Sequence, residues 1–314
     1  MLFKKFAGLQ TTIAREIRFD GVGVHAGKPA RLVLRPAEAD RGIVFRRTDG
    51  GRDVEIPARY DMVVATELCT VIGRDGLTIA TVEHLMAALR AMEVDNVEVE
   101  VDGPEVPILD GCSDSFVAAL TETGLSLLPA PRRALRVLKP VRVEQGDAFA
   151  ELVPFEGCRY DVTIDFTDPV IGRQSCLLDL TPAAFRGDIA RARTFGFMSD
   201  VEKLWKVGYA LGSSLENSVA IGEGRVLNPE GLRWADEFAR HKTLDAVGDL
   251  ALAGMPFIGH YRSYKGGHRM NVAVLKALFA DASAFELTQR PAIRREAGSA
   301  ALAAGARAVA APDI

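Results

Sequence analysis

The sequence of 314 residues has only four cysteines, and Cys69, Cys112, Cys158 and Cys176 are scattered, with no CxxC pair. That excludes a disulfide scaffold or a thiolate zinc site and points to reduced thiols in a cytosolic protein. A basic excess is missing too: 38 Lys and Arg stand against 42 Asp and Glu, a net charge of −4. A general nucleic-acid binder carries the opposite balance, so that class drops away. No apolar run approaches the roughly 18 residues a membrane-spanning helix needs. The first residues have Lys4 and Lys5 but no apolar core before Arg15, so no signal peptide is read. Histidine is the last shortage, with five in all. What is abundant is ordinary core material: 48% hydrophobic and 25% charged residues make a globular composition.

Residues 11–81 are dense in short β-rich runs (AREIRF, ARLVLRP, GIVFRR, DVEIPA, LCTVIGRDGLTIAT) separated by Gly, Pro and Asp, which predicts an antiparallel meander. A helix is predicted next over TVEHLMAALRAM, with Val82, Leu85, Met86 and Leu89 on one face and Thr81 as its N-cap. The strand NVEVEV, the loop GPEVPILDGCSDS and the helix FVAALTETG follow, and LLPAPRR (127–133), with two prolines, reads as a linker. The second half repeats the plan. Strands at RVLKPVRVE, AFAELVPF, YDVTIDF and SCLLDL lead to a helical pair around 181–210, the short strands of SVAIGEGRVL and the helix DEFARHKTLDAVGDL. The strand FIGHYRSY, a glycine loop and the helix NVAVLKALFADA close it. The expected fold is therefore α+β, with two similar domains over 1–128 and 134–295, helices packed on sheets in each. The Ala/Gly-rich stretch 296–314 is expected to be a flexible tail.

Two motifs are rejected. GVGVHAGKPA (21–30) lacks the Walker spacing, and Pro29 follows Lys28 where Ser or Thr is needed. As a dinucleotide loop it should open a helix, but a strand follows, so a glycine-rich hairpin turn is the reading. RRALRVLKPVR (132–142) alternates charge with Leu and Val and reads as the exposed side of a strand.

In DEFARHKTLDAVGDL, His241, Lys242, Asp245 and Asp249 fall in one helical arc opposite Leu244, Val247 and Leu250. The ordinary reading is a solvated polar face. The functional one is that His241 and Asp245, one turn apart, offer an imidazole and a carboxylate to one ion. His84, by itself either a partly exposed helix residue or a ligand, is the candidate third donor, with Ala87 and Ala88 leaving room for another element to approach. Neighbouring Glu83 could take a proton from a water that the ion acidifies. Two His and one Asp leave a coordination position open, as catalytic zinc sites do. His268, on the loop KGGHRMN, is either a solvated loop histidine or, paired with Asp249, a proton donor to a leaving amine. Thr194 either ends a helix or helps stabilise an oxyanion. Lys242 is a surface lysine or an anion contact.

TVEHLMAAL (81–89), GPEVPILDG (103–111), RARTFGFM (191–198), DEFARHKTLDAVGDL and KGGHRMN together resemble the UDP-3-O-acyl-N-acetylglucosamine deacetylase family, in order and over nearly the whole chain apart from the tail. The resemblance implies a cytoplasmic zinc hydrolase that removes acetate from an acylated UDP-sugar, the committed step of lipid A biosynthesis in Gram-negative bacteria. It implies a site between the two domains, with His84, His241 and Asp245 as metal ligands (Fe²⁺ being compatible with the same set) and Glu83 as general base. His268 would be the general acid, supported by Asp249, with Thr194 on the oxyanion and Lys242 and Phe195 near substrate. An insert over about 197–226 would form an apolar passage for the acyl chain, with Met198, Val201, Leu215 and Ala220 as lining. The family's Gly-Gly-Ser-Leu-Asp-Asn is here Gly212-Ser213-Ser214-Leu215-Glu216-Asn217. A monomer is expected, with no nucleic-acid partner. The rival readings are a non-haem iron oxygenase, whose two-histidine, one-carboxylate triad usually lies on barrel strands, and a non-catalytic protein that binds the lipid-linked sugar.

Overall fold

The computed structural model describes residues 8–48 and 53–289; the 296–314 tail expectation lies outside them. The protein is α+β, as expected, and its two large sheets follow the two halves of the chain. In the first half, Ile17–Val22, Pro29–Pro36, Val97–Val101, Ile43–Arg47 and Val54–Pro57 lie side by side in that order. This is no simple meander, because Ile43–Arg47 runs parallel to Val97–Val101, and Val63–Ala65, Val71–Arg74 and Leu77–Ile79 form a separate small sheet. In the second half, Phe257–Tyr264 is the central strand, pairing with Ala148–Val153, Cys158–Asp165 and Arg133–Val137.

The helices are α1 (Glu83–Ala91), α2 (Asp114–Thr123), a single turn α3 (Pro182–Ala184) leading into the π-helical turn Phe185–Ile189, α4 (Met198–Lys206), α5 (Glu237–Ala251) and α6 (His268–Ala280). None among the described residues is long and apolar enough to cross a membrane. GVGVHAGKPA is a hairpin turn, as read: it joins Ile17–Val22 to Pro29–Pro36. Gly27 takes a φ of +62°, and a Cβ there would lie 2.8 Å from that of Leu211. Three further readings are corrected. The expected linker carries the strand Leu125–Pro131, paired with Leu9–Ile13 in a two-stranded ribbon. The 132–142 segment holds two strands, and the first, Arg133–Val137, pairs on both edges. Thr81 does not cap α1: its φ is +59° and its hydroxyl donates to Glu105 Oε1 at 2.8 Å.

α1 is buried along all nine residues, because it packs along α5. The two come closest where Gly248 meets the backbone of Glu83: a Cβ on Gly248 would stand 2.0 Å from the Glu83 carbonyl oxygen. Backbone on both sides leaves nothing to rotate away. Gly248→Ala is therefore expected to cost about 3 kcal/mol, the upper end of overpacking penalties, read as a lower midpoint in urea denaturation at constant m-value.

Candidate active site

The polar arc of α5 is not solvated apart from Lys242: His241, Asp245 and Asp249 are each at most 2% exposed. His84 Nε2 lies 3.6 Å and His241 Nε2 3.4 Å from the same oxygen, Asp245 Oδ1. The three ligand atoms sit within 4.8 Å of one another. His241 Nδ1 is 3.0 Å from the Ala192 carbonyl, which fixes the tautomer and turns Nε2 towards Asp245. Burial pushes His241 down to about 4, so the imidazole is neutral, the form that ligates a metal. Burial opposes charge on Asp245, yet its cationic and hydrogen-bonding neighbours, the Lys242 ammonium among them, outweigh it and hold the carboxyl well below its usual range. Asp245 Oδ1 is nonetheless buried with no hydrogen-bond partner. An ionised oxygen in that state is costly, and a divalent cation among these three donors is what the set fits.

Glu83 is the first residue of α1 and His268 the first of α6; the latter corrects the loop placement, Gly267 being the N-cap. Burial raises the Glu83 carboxyl, partly opposed by His268 and His84. His268 Nδ1 donates to Asp249 Oδ2 at 2.8 Å, and Nε2 stands 3.9 Å from Glu83 Oε1 and 4.0 Å from Asp245 Oδ2. Burial works against the imidazolium, but Asp249, with Glu83 and Asp245 beyond it, raises it to about 9. Lys242 is partly exposed and donates to Asp245 Oδ2 at 2.8 Å, with its ammonium 5.8 Å from the centre of the Phe195 ring.

One cavity of about 580 Å³ opens onto Glu83, His84, His241, Asp245 and His268. Thr194, Phe195, Lys242, Met198, Val201, Leu215 and Ala220 also line it, so every predicted site residue except the fully buried Asp249 reaches it. The lining extends beyond the expected 197–226, to Phe166 and to Val24, Leu68 and Cys69 of the first half. Behind the wall, Arg193 is buried against Glu237, its Nε donating to Glu237 Oε1 at 2.9 Å, which ties Thr194 to the start of α5. Glu105 accepts from the backbone of His25 and Ala26 at 3.0 and 2.9 Å, which ties the hairpin turn to Thr81 ahead of α1.

The residue that sequence reasoning missed is Thr70. Its backbone N–H donates to Glu83 Oε2 at 3.0 Å, and its hydroxyl donates to Asp249 Oδ1 at 2.5 Å. Asn271 donates to Asp249 Oδ2 at 2.8 Å and accepts from the Tyr261 hydroxyl. Thr70 thus ties the carboxylate beside His268 to the one beside His84. Thr70→Val keeps the shape and the N–H but leaves Asp249 Oδ1 buried and unpaired, a penalty of about 1–3 kcal/mol. The expected result is a kcat roughly tenfold lower with KM nearly unchanged, and recovery in Thr70→Ser.

Comparison with known proteins places the chain beside one family. Residues 10–280 match the family model described as UDP-3-O-acyl N-acetylglycosamine deacetylase. A protein of Brucella ovis named UDP-3-O-acyl-N-acetylglucosamine deacetylase is 52% identical over 281 residues, 89% of this chain and 98% of that protein. A protein of the same name from Brucella melitensis biotype 2 is 51% identical over the same shares.

Proposed function

The chain belongs to the UDP-3-O-acyl-N-acetylglucosamine deacetylase family, and on that footing we propose that it hydrolyses the N-acetyl amide of a UDP-3-O-(3-hydroxyacyl)-N-acetylglucosamine, releasing acetate, in lipid A biosynthesis. The observation that carries the reading is the placement of Glu83 and His268 beside the three clustered donors, on one apolar-walled cavity. Nothing in the family or the site favours the oxygenase reading.

His84, His241 and Asp245 would hold the metal ion, zinc or ferrous iron. Once bound, it would supply Lewis-acid polarisation of the amide carbonyl and a lowered pKa of water. The remaining work belongs to side chains. Glu83 accepts the proton of the attacking water as the new C–O bond forms. The Thr194 hydroxyl donates to the carbonyl oxygen as it gains charge. His268 then passes its Nε2 proton to the sugar nitrogen as the C–N bond breaks, while Asp249 holds the Nδ1–H. Lys242 and Phe195 border the sugar, and Met198, Val201, Leu215 and Ala220 take the acyl chain. In this scheme residues 1–128 and 134–295 are the two domains, and the reaction runs where they meet.

The test is acetate release from the acylated sugar nucleotide. Activity should disappear on dialysis against chelator and return with Zn²⁺ or Fe²⁺; undiminished turnover in fully metal-free protein overturns the ligand assignment.

A further inference from the structure

A second, larger cavity of about 780 Å³ lies at the C-terminal ends of α1 and α5, lined by Arg90 and Ala91 of the one and Leu250 of the other. It shares no lining residue with the site cavity. Its walls are largely apolar, with Phe155, Leu180, Met255 and Phe257 among them.

Arg90 is the residue that demands an explanation. It is only 7% exposed, and its Nε and Nη1 are buried with no hydrogen-bond partner. A guanidinium stays protonated in proteins, and a buried, unsatisfied cation is among the costlier features a fold can carry. Its place in the last turn of α1 favours a positive charge through the helix dipole, as does nearby Asp95, but Asp95 is bonded to Arg132 and Thr11 and the N–H groups of Arg90 stay unsatisfied. The other arginines of the cavity already have hydrogen-bond partners. Arg132 bonds Glu93 and Asp95, Arg136 bonds Glu156 and Arg159 bonds Asp179.

We propose that this cavity is a second ligand site, which takes a singly charged amphiphile, a carboxylate on a medium-length acyl chain, with the carboxylate on Arg90 and the chain along the apolar wall. One guanidinium with donors to spare matches the two oxygens of a single carboxylate. A polyphosphate would instead meet Glu93, Glu156 and Asp179 on the same walls. The volume lies within the range of small-molecule sites. Occupancy would bear on both helices that carry the metal donors, since Arg90 stands seven residues, about 10 Å, along α1 from Glu83 and Leu250 follows Asp249.

The probe is decanoate, followed by calorimetry on the whole protein. Because the site cavity is also apolar, two equivalents are expected in the wild type and one in Ala220→Phe, which fills that first cavity. Arg90→Met should lose the other equivalent, its affinity falling at least tenfold, as expected for a lost charge-assisted hydrogen bond of about 1.5–3 kcal/mol; Arg90→Lys should keep part of it. Thermal melting separates ligand from scaffold. Arg90→Met without decanoate should melt no lower than wild type, since it removes buried N–H groups that have no partner. Decanoate should raise the melting temperature of Ala220→Phe but not of the Ala220→Phe, Arg90→Met double variant. Two retained equivalents in Arg90→Met, or a large drop in its melting temperature without ligand, would overturn the proposal. Displacement of decanoate from Ala220→Phe by inorganic phosphate at equal concentration would overturn the amphiphile assignment.

Discussion

Glu83→Gln is expected to lower the kcat of deacetylation by about 10²–10⁴-fold, the usual worth of a general base, while the protein still binds its metal ion. The side chain keeps its size, and the backbone N–H of Thr70 can still donate to the amide oxygen that replaces Oε2. What disappears is the ability to accept a proton. The position suits that task, because burial raises the carboxyl towards the operating pH without changing its place at the start of α1, where the dipole favours its ionised form. Metal content separates this role from ligation. The three donors belong to His84, His241 and Asp245, so metal analysis should match the wild type. A variant that turns over at the wild-type rate would sink the base assignment, and one that loses its metal would move Glu83 among the ligands.

Much of this cluster was legible because it is built from residue types that are scarce. With five histidines, a helix offering His241 and Asp245 one turn apart had few possible partners, and His84 with Glu83 beside it was the natural one. Periodicity located the polar arc but not what covers it. HxxxD on a surface helix and HxxxD under a second helix read alike, and the element that buries it lies more than 140 residues away. Gly248, which makes that approach possible, looks like a mild helix defect in a window of α5. Thr70 was invisible for another reason: it does not titrate, and half of its contribution is a backbone N–H that any residue but proline could supply.

The misplaced elements have similarly local causes. Pro129 and Pro131 suggested a linker, yet a two-stranded ribbon tolerates proline because neither strand has to pair on both edges. The charges of 132–142 suggested an exposed strand, but Arg132 is buried in ion pairs with Glu93 and Asp95. Two glycines before His268 suggested a loop; the helix instead begins at His268 itself. The correction matters for function, because a side chain at the head of a packed helix is held more rigidly than one on a connector.

That rigidity is the basis of the second large effect, in His268→Ala. The imidazole is locked by its bond to Asp249, and Asp249 is locked in turn by Thr70 and Asn271, so Nε2 faces the cavity in one orientation. Removing it should lower kcat by about 10²–10⁴-fold with substrate affinity little changed, because the proton it supplies is needed only as the C–N bond breaks. A fall in affinity alone would make His268 a binding group. Asp249→Asn keeps the ring but removes the charge that holds its proton, and should lie between wild type and His268→Ala. Metal-free protein provides a check that does not involve turnover. The folded imidazole is raised to about 9 from an ordinary 6.5, so its pairing with Asp249 stabilises the fold fully below about pH 6.5, and this contribution is lost as pH rises through about 9. Wild-type stability should therefore decline over that window relative to His268→Ala; parallel stability curves would show that the pair is not charged as the geometry requires.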